Sequence, residues 1–318
     1  MTAVLIACAH GTRFEEGRVV VRELLEVLQA TAPAGVEVHE AYVDVHGPYV
    51  TDVVAAARER TDDIVIVPLL LSTGYHTEVD LVEAADGLPV APALGPHPVL
   101  AEILVDRVQA TGAGPDDTVV LAAAGSTRPG AVVDVERMAG LMSAAGIAGP
   151  VVTAYAAASE PRITDAVHAA RAEGRRTVAA SYVLAPGHFS RVIEKAEADL
   201  TSAPIGADPR LATVVWERWA AARGAVGEPD AAGGAVGPDP STGSGSSVGE
   251  AAQPVEAAGR AVASRAEAAE PVEASDRAVG PDPSMGSGSS VGVGSSAGTP
   301  RGARARLLAL FSRARRRA

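Results

Sequence analysis

An internal repeat constrains this chain more than any other feature. Four segments of the first third recur, in the same order, in the second third. The matched pairs are 4–13 with 119–128, 41–58 with 154–171, 63–76 with 176–189, and 94–108 with 205–219. The offset between partners drifts only from 115 to 111 residues, which indicates a domain duplicated head to tail. We therefore predict a first domain over 1–113 and a second, degenerate copy over 114–224.

Each copy alternates apolar strands with amphipathic helices. In the first copy a strand at 3–9 precedes a helix over 15–30, whose apolar residues recur near the helical period. The remaining predicted elements are a strand near 36–43, a helix near 48–60, a strand at 63–71, a helix near 77–86, a strand near 89–94 and a helix near 97–110. This alternation predicts the α/β fold class, with two tandem homologous domains, each a small parallel sheet flanked by helices.

The last third of the chain has a different composition. Residues 225–318 are rich in Gly, Ala, Ser and Pro, and the segment 235–249 recurs as 278–292. They offer too little apolar surface to offset the entropy of ordering, so we predict a disordered low-complexity tail. Its end, 301–318, carries seven arginines around a short apolar run. That end is compatible with a basic amphipathic helix on an anionic surface and with a solvated tail.

The charge distribution argues against nucleic acid as a partner. The net charge is −12, and residues 1–224 carry all of the excess, with 29 acidic and 17 basic side chains. The tail holds 10 of each sign. Binding to a phosphate backbone needs clustered Lys and Arg, so we expect no specific nucleic-acid partner.

Two further features bear on the cellular location. Cys8 is the only cysteine, so no disulfide can form within the chain, and its apolar surroundings predict a buried, inert thiol. The chain shows no signal-peptide pattern and no apolar run of about 18 residues, which a membrane span would need. We expect a cytoplasmic protein without a transmembrane segment. Since the duplication supplies two halves, a monomer is expected.

Two histidines stand where ligands bind in parallel sheets. His10 follows the first predicted strand in the sequence AHGT, and His76 follows the third in TGYH. Both would lie at the carboxyl edge of one sheet, where open α/β folds bind ligands. Imidazole binds iron, cobalt and nickel and exchanges protons near neutral pH, although two unconnected loop histidines would give the same pattern. Asp80, four residues after His76, would share a helix face with it and could orient its ring.

Comparison of the copies separates scaffold from chemistry. In the sequence alignment Gly125 stands opposite His10, whereas Arg128 stands opposite Arg13. His188 lies one position away from the place of His76, which leaves open whether it contributes. The two arginines could bind an anionic ligand in a cleft between the copies, or form surface ion pairs. One metal centre per chain, on the first copy, is the prediction.

At these residues the chain resembles the sirohydrochlorin chelatase family, the cobalt- and iron-inserting class II tetrapyrrole chelatases, in its long duplicated form. ACAHGTR (7–13) resembles the family's G-H-G-[ST]-R opening, with Ala9 in place of the first glycine. VPLLLSTGYHTEVDL (67–81) resembles the second signature, a strand followed by G-x-H-x-x-x-D-[IL]. Val82 stands where members often have proline. The resemblance covers residues 1–223 and not the tail.

The resemblance implies an activity and a set of roles. A divalent metal, Co²⁺ or Fe²⁺ with Ni²⁺ as a third candidate, would be inserted into sirohydrochlorin for sirohaem or cobalamin synthesis, with no organic cofactor. His10 and His76 would be the catalytic, metal-binding pair that accepts the pyrrole protons. Arg13 and Arg128 would bind carboxylates of the macrocycle, and Asp80 would support His76.

Two other classes share some of these features. A non-enzymatic carrier of metal or tetrapyrrole would use the same ligands without turnover. A histidine phosphatase also begins with a histidine near arginines, but such enzymes place arginine directly before the histidine, where this chain has Ala9.

Overall fold

The structure is a computed structural model that describes residues 2–74 and 79–225. The predicted tail at 225–318 therefore lies outside the described residues, apart from Ala225. The strands are β1 (Ala3–Ala9), β2 (Val36–Tyr42), β3 (Ile64–Pro68), β4 (Thr118–Ala123), β5 (Val151–Tyr155), β6 (Thr177–Tyr182) and β7 (Leu200–Thr201). The helices are α1 (Glu15–Thr31), α2 (Val50–Arg58), α3 (Leu81–Ala85), α4 (Pro98–Gln109), α5 (Pro129–Ala144), α6 (Ile163–Ala172), α7 (His188–Lys195) and α8 (Leu211–Ala225).

The strands form two parallel sheets, as the alternating pattern predicts. The first has the order β2-β1-β3 and the second the order β5-β4-β6-β7. In both sheets the first strand of the copy lies in the middle, and every residue of β1 and β4 is buried. Continuously apolar strands suit a sheet that is covered on both faces. Among the described residues, no helix is long and apolar enough to cross a membrane.

The prediction of a strand near 89–94 is wrong. Only an isolated bridge between Ile66 and Val90 forms there. Pro89 and Pro92 flank that position, and proline has no backbone N–H to donate to a neighbouring strand. The second copy places the short β7 beside β6 at the corresponding place.

The final helix of each copy covers the sheet of the other copy. Helix α4 packs against α5 and β6 of the second copy. Helix α8 packs against β3 and α1 of the first copy. One hydrophobic core consequently contains residues of both sheets, such as Leu5 and Leu121. The two copies are interlocked through their last helices.

Polar contacts reinforce this exchange of helices. The indole N–H of Trp216 on α8 donates to the Thr31 hydroxyl at 3.0 Å, and Arg218 donates to the Ala93 carbonyl at 3.0 Å. From the first copy, the Arg107 guanidinium on α4 donates to the Ile205 carbonyl at 3.1 Å.

Candidate functional site

His10 stands at the carboxyl edge of the first sheet, directly after β1. Its carbonyl accepts a hydrogen bond from the Asp44 amide at 3.0 Å, so the loop after β2 holds its backbone. Its Nδ1 lies 3.3 Å from the Gly11 carbonyl oxygen. When Nδ1 carries the proton of that contact, the lone pair is on Nε2, the nitrogen that would bind a metal. The half-buried ring is thus fixed at a strand end where ligands bind.

Gly11 makes this turn possible. Its φ is +100°, and a Cβ at this position would lie 2.1 Å from the Asp44 carbonyl oxygen. The second sheet repeats the turn at Gly125, with φ of +89° and a Cβ position 1.9 Å from the Ala157 oxygen. Only glycine fits such a close backbone approach at positive φ.

The paired turns correct the alignment between the copies by one residue. Gly125 corresponds to Gly11, and Ala124 therefore stands at the position of His10. In the same register Phe14, which precedes α1, corresponds to Arg128, which precedes α5. The prediction that Arg13 and Arg128 are equivalent is wrong, because Thr127 corresponds to Arg13. The second copy still keeps the turn without an imidazole.

His76 lies outside the described residues, as do Tyr75, Thr77 and Glu78. The chain on both sides of it is described. After β3, the Leu69 amide donates to the Cys8 carbonyl at 2.8 Å, which keeps the start of this loop beside β1. Asp80 is half-buried and directly precedes the short helix α3. The sequence-based pairing of His10 with His76 stays a prediction.

The loop that leads to His76 rests against the second copy. The Tyr182 hydroxyl donates to the Leu71 carbonyl at 2.6 Å, and the Thr73 amide donates to the Asp134 carboxylate at 2.9 Å. Burial raises the pKa of Tyr182, so its hydroxyl keeps its proton as a donor. The start of α5, with Arg128 half-buried before it, therefore lies beside this loop.

The loop that carries His10 has a matching neighbour from the second copy. A Cβ on Gly17 would lie 2.4 Å from the Pro186 carbonyl oxygen, so α1 packs closely on the loop after β6. His188 is the first residue of α7 and directly follows that loop. Arg13, in the loop that carries His10, is exposed. The two predicted arginines thus belong to different loop pairs, Arg13 to this one and Arg128 to the loop pair of His76.

Two polar residues at the carboxyl edge of the first sheet are not among the predicted site residues. Asp44 is exposed after β2 and is joined to His10 through the backbone. His46 stacks on Tyr42, with ring centroids 4.0 Å apart, and its buried Nε2 has no hydrogen-bond partner among the described residues. The signal was present in the sequence, because His46 precedes a glycine just after a strand, as His10 does.

No cluster of three or more His, Cys, Asp and Glu side chains with metal-binding geometry occurs in residues 2–74 and 79–225. The predicted pair has one member, His10, inside this range and the other outside it. Cys8 is fully buried, and burial raises the pKa of its thiol to about 12. The thiol is therefore protonated and inert at neutral pH, as the sequence predicts.

Comparison with known sequences adds two findings. A family model described as CbiX matches the chain twice, over residues 4–111 and 118–222. A curated relative, the sirohydrochlorin ferrochelatase of Priestia megaterium, is 28% identical over 183 residues, which cover 54% of this chain and 68% of the relative. Both observations fit the duplicated architecture.

Two solved structures share the fold. SirB from Bacillus subtilis with Fe³⁺ has a TM-score of 0.60 at 21% identity, over 72% of this chain and 98% of that one. The sirohydrochlorin chelatase SirB from Bacillus subtilis subspecies spizizenii, in complex with cobalt, has a TM-score of 0.59 at 20% identity over the same shares, 72% and 98%.

Proposed function

Because the chain belongs to the CbiX family, we propose that it is a sirohydrochlorin chelatase, a lyase that inserts Fe²⁺ or Co²⁺ into this tetrapyrrole. The observation that carries the proposal is the position of His10, an imidazole on a glycine turn at the carboxyl edge of the first sheet. The related turn of the second sheet has Ala124 in its place, so the scaffold does not require a histidine. The name of the curated relative supports the substrate, and the metals in the solved SirB structures support the cargo.

The reaction needs groups that hold a cation and accept protons. The free macrocycle loses two pyrrole protons as the divalent metal enters its centre. His10 and His76 are proposed to hold the cation at one face of the ring and to accept these protons once the metal has left the imidazoles. A neutral imidazole suits both tasks near pH 7.

The acidic side chains of the macrocycle need cationic partners. Arg13, which is exposed next to the His10 loop, and Arg128, at the start of α5, are proposed to bind substrate carboxylates. Asp80 is proposed to orient His76 as a hydrogen-bond acceptor. No organic cofactor is needed, because the metal enters without a change of oxidation state.

Imidazole ligands accept Fe²⁺, Co²⁺ and Ni²⁺, so the donor set alone does not select the metal. Iron insertion would serve sirohaem synthesis, and cobalt insertion would serve cobalamin synthesis. Comparison of the three metals under identical conditions, by the absorbance of the metallated product, assigns the pathway through the largest kcat/KM.

The test of the proposed function is the rate of metal insertion by wild type, His10→Ala and His76→Ala. Loss of a metal ligand or proton acceptor should reduce kcat/KM by roughly 100-fold or more. His168→Ala is the matched control, because His168 is exposed on α6 and should leave the rate unchanged. Undiminished rates in both variants would contradict the assigned pair.

The same assay separates the competing classes. A carrier would bind sirohydrochlorin or metal in stoichiometric amounts without accelerating the insertion, whereas an enzyme turns over many equivalents. A histidine phosphatase would hydrolyse phosphate esters with the same rate in the presence of a metal chelator. Turnover of sirohydrochlorin by wild type, with no phosphatase activity, is the expected result.

A further inference from the structure

A cationic side chain of the second copy lies over the loop that carries His10. The guanidinium carbon of Arg191 on α7 is 4.0 Å from the centroid of the Phe14 ring. Phe14 directly follows Arg13 in the chain, and its amide donates to the Thr12 hydroxyl at 3.2 Å, which fixes the ring relative to the turn. A cation over an aromatic face is attracted by the ring quadrupole, so this contact restrains the guanidinium.

The packing around this contact is tight. A Cβ on Gly187, just before α7, would lie 3.5 Å from the Thr12 hydroxyl oxygen and 3.8 Å from the Phe14 ring. His188 and Arg191 are three residues apart on α7 and therefore project from the same side of the helix. The first turns of α7 are thus docked against the His10 loop.

Arg191 differs from most arginines of the described chain in its charge environment. Nine arginines make ion pairs with carboxylates there: Arg18, Arg22, Arg58, Arg60, Arg107, Arg171, Arg176, Arg210 and Arg223. Within residues 2–74 and 79–225, no carboxylate pairs with Arg191. Glu15, the residue after Phe14, instead pairs with Arg22 at 2.6 Å.

The repeat shows that this arrangement is specific to one copy. At the offset of 113 residues that relates β3 to β6, the position of Arg191 corresponds to Glu78 in the sequence. At the offset of 114 residues set by the turns of Gly11 and Gly125, Phe14 corresponds to Arg128. The related positions therefore hold two opposite charges, Glu78 and Arg128, in one case, and a cation and an aromatic ring, Arg191 and Phe14, in the other. A ring restrains a guanidinium without neutralising it.

From this geometry we propose that Arg191, held by Phe14, binds a carboxylate of the tetrapyrrole substrate. The inference rests on the proposed chelatase function and assigns a substrate-binding residue to the second copy. A guanidinium carries five N–H donors in a planar fork, so a contact with one aromatic ring leaves donors that can form a bidentate pair with a carboxylate. The second copy then contributes directly to the site of the first.

The test is a titration of metal-free sirohydrochlorin, followed by absorbance, into wild type, Arg191→Glu and Arg191→Lys. Arg191→Glu should raise the dissociation constant about 10-fold or more, because an arginine–carboxylate pair becomes a repulsive one. Arg191→Lys keeps the positive charge but loses the planar fork of N–H donors, so its dissociation constant should lie between those of wild type and Arg191→Glu. Arg137→Glu is the matched control, because Arg137 is exposed in the middle of α5 and also has no ion-pair partner among the described residues.

Kinetics provide the second readout. Arg191→Glu should raise KM for sirohydrochlorin while KM for the metal stays within about two-fold of wild type, because the carboxylate contact does not involve the cation. Equal substrate affinity in Arg191→Glu and Arg137→Glu, with active wild type, would overturn the inference and leave the proposed function intact. Absence of both binding and turnover in wild type would instead overturn the proposed function, and the inference with it.

Discussion

At the scale of single residues, Gly11 determines how the chain leaves β1 and therefore where His10 points. Its positive φ and the 2.1 Å approach of the Asp44 oxygen leave no space for a side chain. Because the Asp44 amide also bonds to the His10 carbonyl, the turn and the imidazole position form one local unit. Any residue at Gly11 with a Cβ must shift the loop that carries Asp44.

Gly11→Ala should therefore destabilise the fold and impair the proposed site. Positive φ alone costs a residue with a Cβ about 1–2 kcal/mol, and the backbone clash adds to this, so a loss of about 3 kcal/mol or more is expected. Gly35→Ala is the matched control, because Gly35 has φ of +80° but nothing within 4 Å of its Cβ position. Urea unfolding of both variants measures the difference; equal losses would contradict the role of the Asp44 contact.

The one-residue error in the alignment of Arg13 with Arg128 also belongs to this scale. The error runs through the strands as well, because matching HGTR with GSTR relates Ala9 to Ala124, whereas the strand partners Tyr42 and Tyr155 relate Ala9 to Ala123. Small polar residues carry no burial pattern that fixes a register. The two glycines with positive φ reveal the register, and φ is not visible in the sequence.

At the scale of elements, α5 of the second copy fixes the loop after β3 of the first. The Thr73 amide donates to the Asp134 carboxylate. A Cβ on Gly130 would lie 3.8 Å from the Thr73 methyl group, so the start of α5 packs on this side chain. The related loop of the second copy has Pro186, which has no amide proton, facing Gly17 of α1. The hydrogen bond thus exists only for the loop that continues to His76.

Asp134→Ala should loosen this loop and lower the rate of metal insertion. Loss of a hydrogen bond to a charged acceptor costs about 1.5–3 kcal/mol, so exchange of the Thr73 amide with solvent should accelerate about 10-fold or more. Hydrogen exchange followed by NMR measures this directly. Asp134→Asn keeps an acceptor oxygen and should largely restore both protection and rate. Unchanged exchange in Asp134→Ala would refute the positioning role.

Helices and strands were predictable where the apolar periodicity is strong, and the prediction failed where prolines oppose strand pairing. The prediction of a helix over 15–30 is confirmed by α1, and that of a helix near 97–110 by α4, which His97 caps by accepting from the Val99 amide at 3.2 Å. Near 89–94 the apolar residues pack as predicted, with Ala91 and Leu94 buried. The prolines there interrupt the ladder of hydrogen bonds, so this buried segment pairs with β3 only through the bridge at Ile66.

At the scale of the whole molecule, the exchange of α4 and α8 joins the two copies into one core. A repeat in the sequence identifies two similar folds but does not show which sheet each helix covers. Helix α8 buries Leu211, Val214, Val215 and Trp219, and it packs on β3 of the first sheet. The last helix of the second copy is therefore part of the environment of the His10 sheet.

Removal of α8 should consequently unfold the first sheet as well as the second. Burying one large apolar side chain contributes about 1.5–3 kcal/mol, so four such residues amount to most of the stability of a typical domain, about 5–15 kcal/mol. A chain ending at Asp208 should show no cooperative thermal transition by circular dichroism. A chain ending at Asp239, which retains α8 and the whole first compact unit, should melt in one transition like the full chain. A cooperative transition in the shorter chain would show that the first sheet is stable without the helix it receives, and that the duplication joins two independent folds.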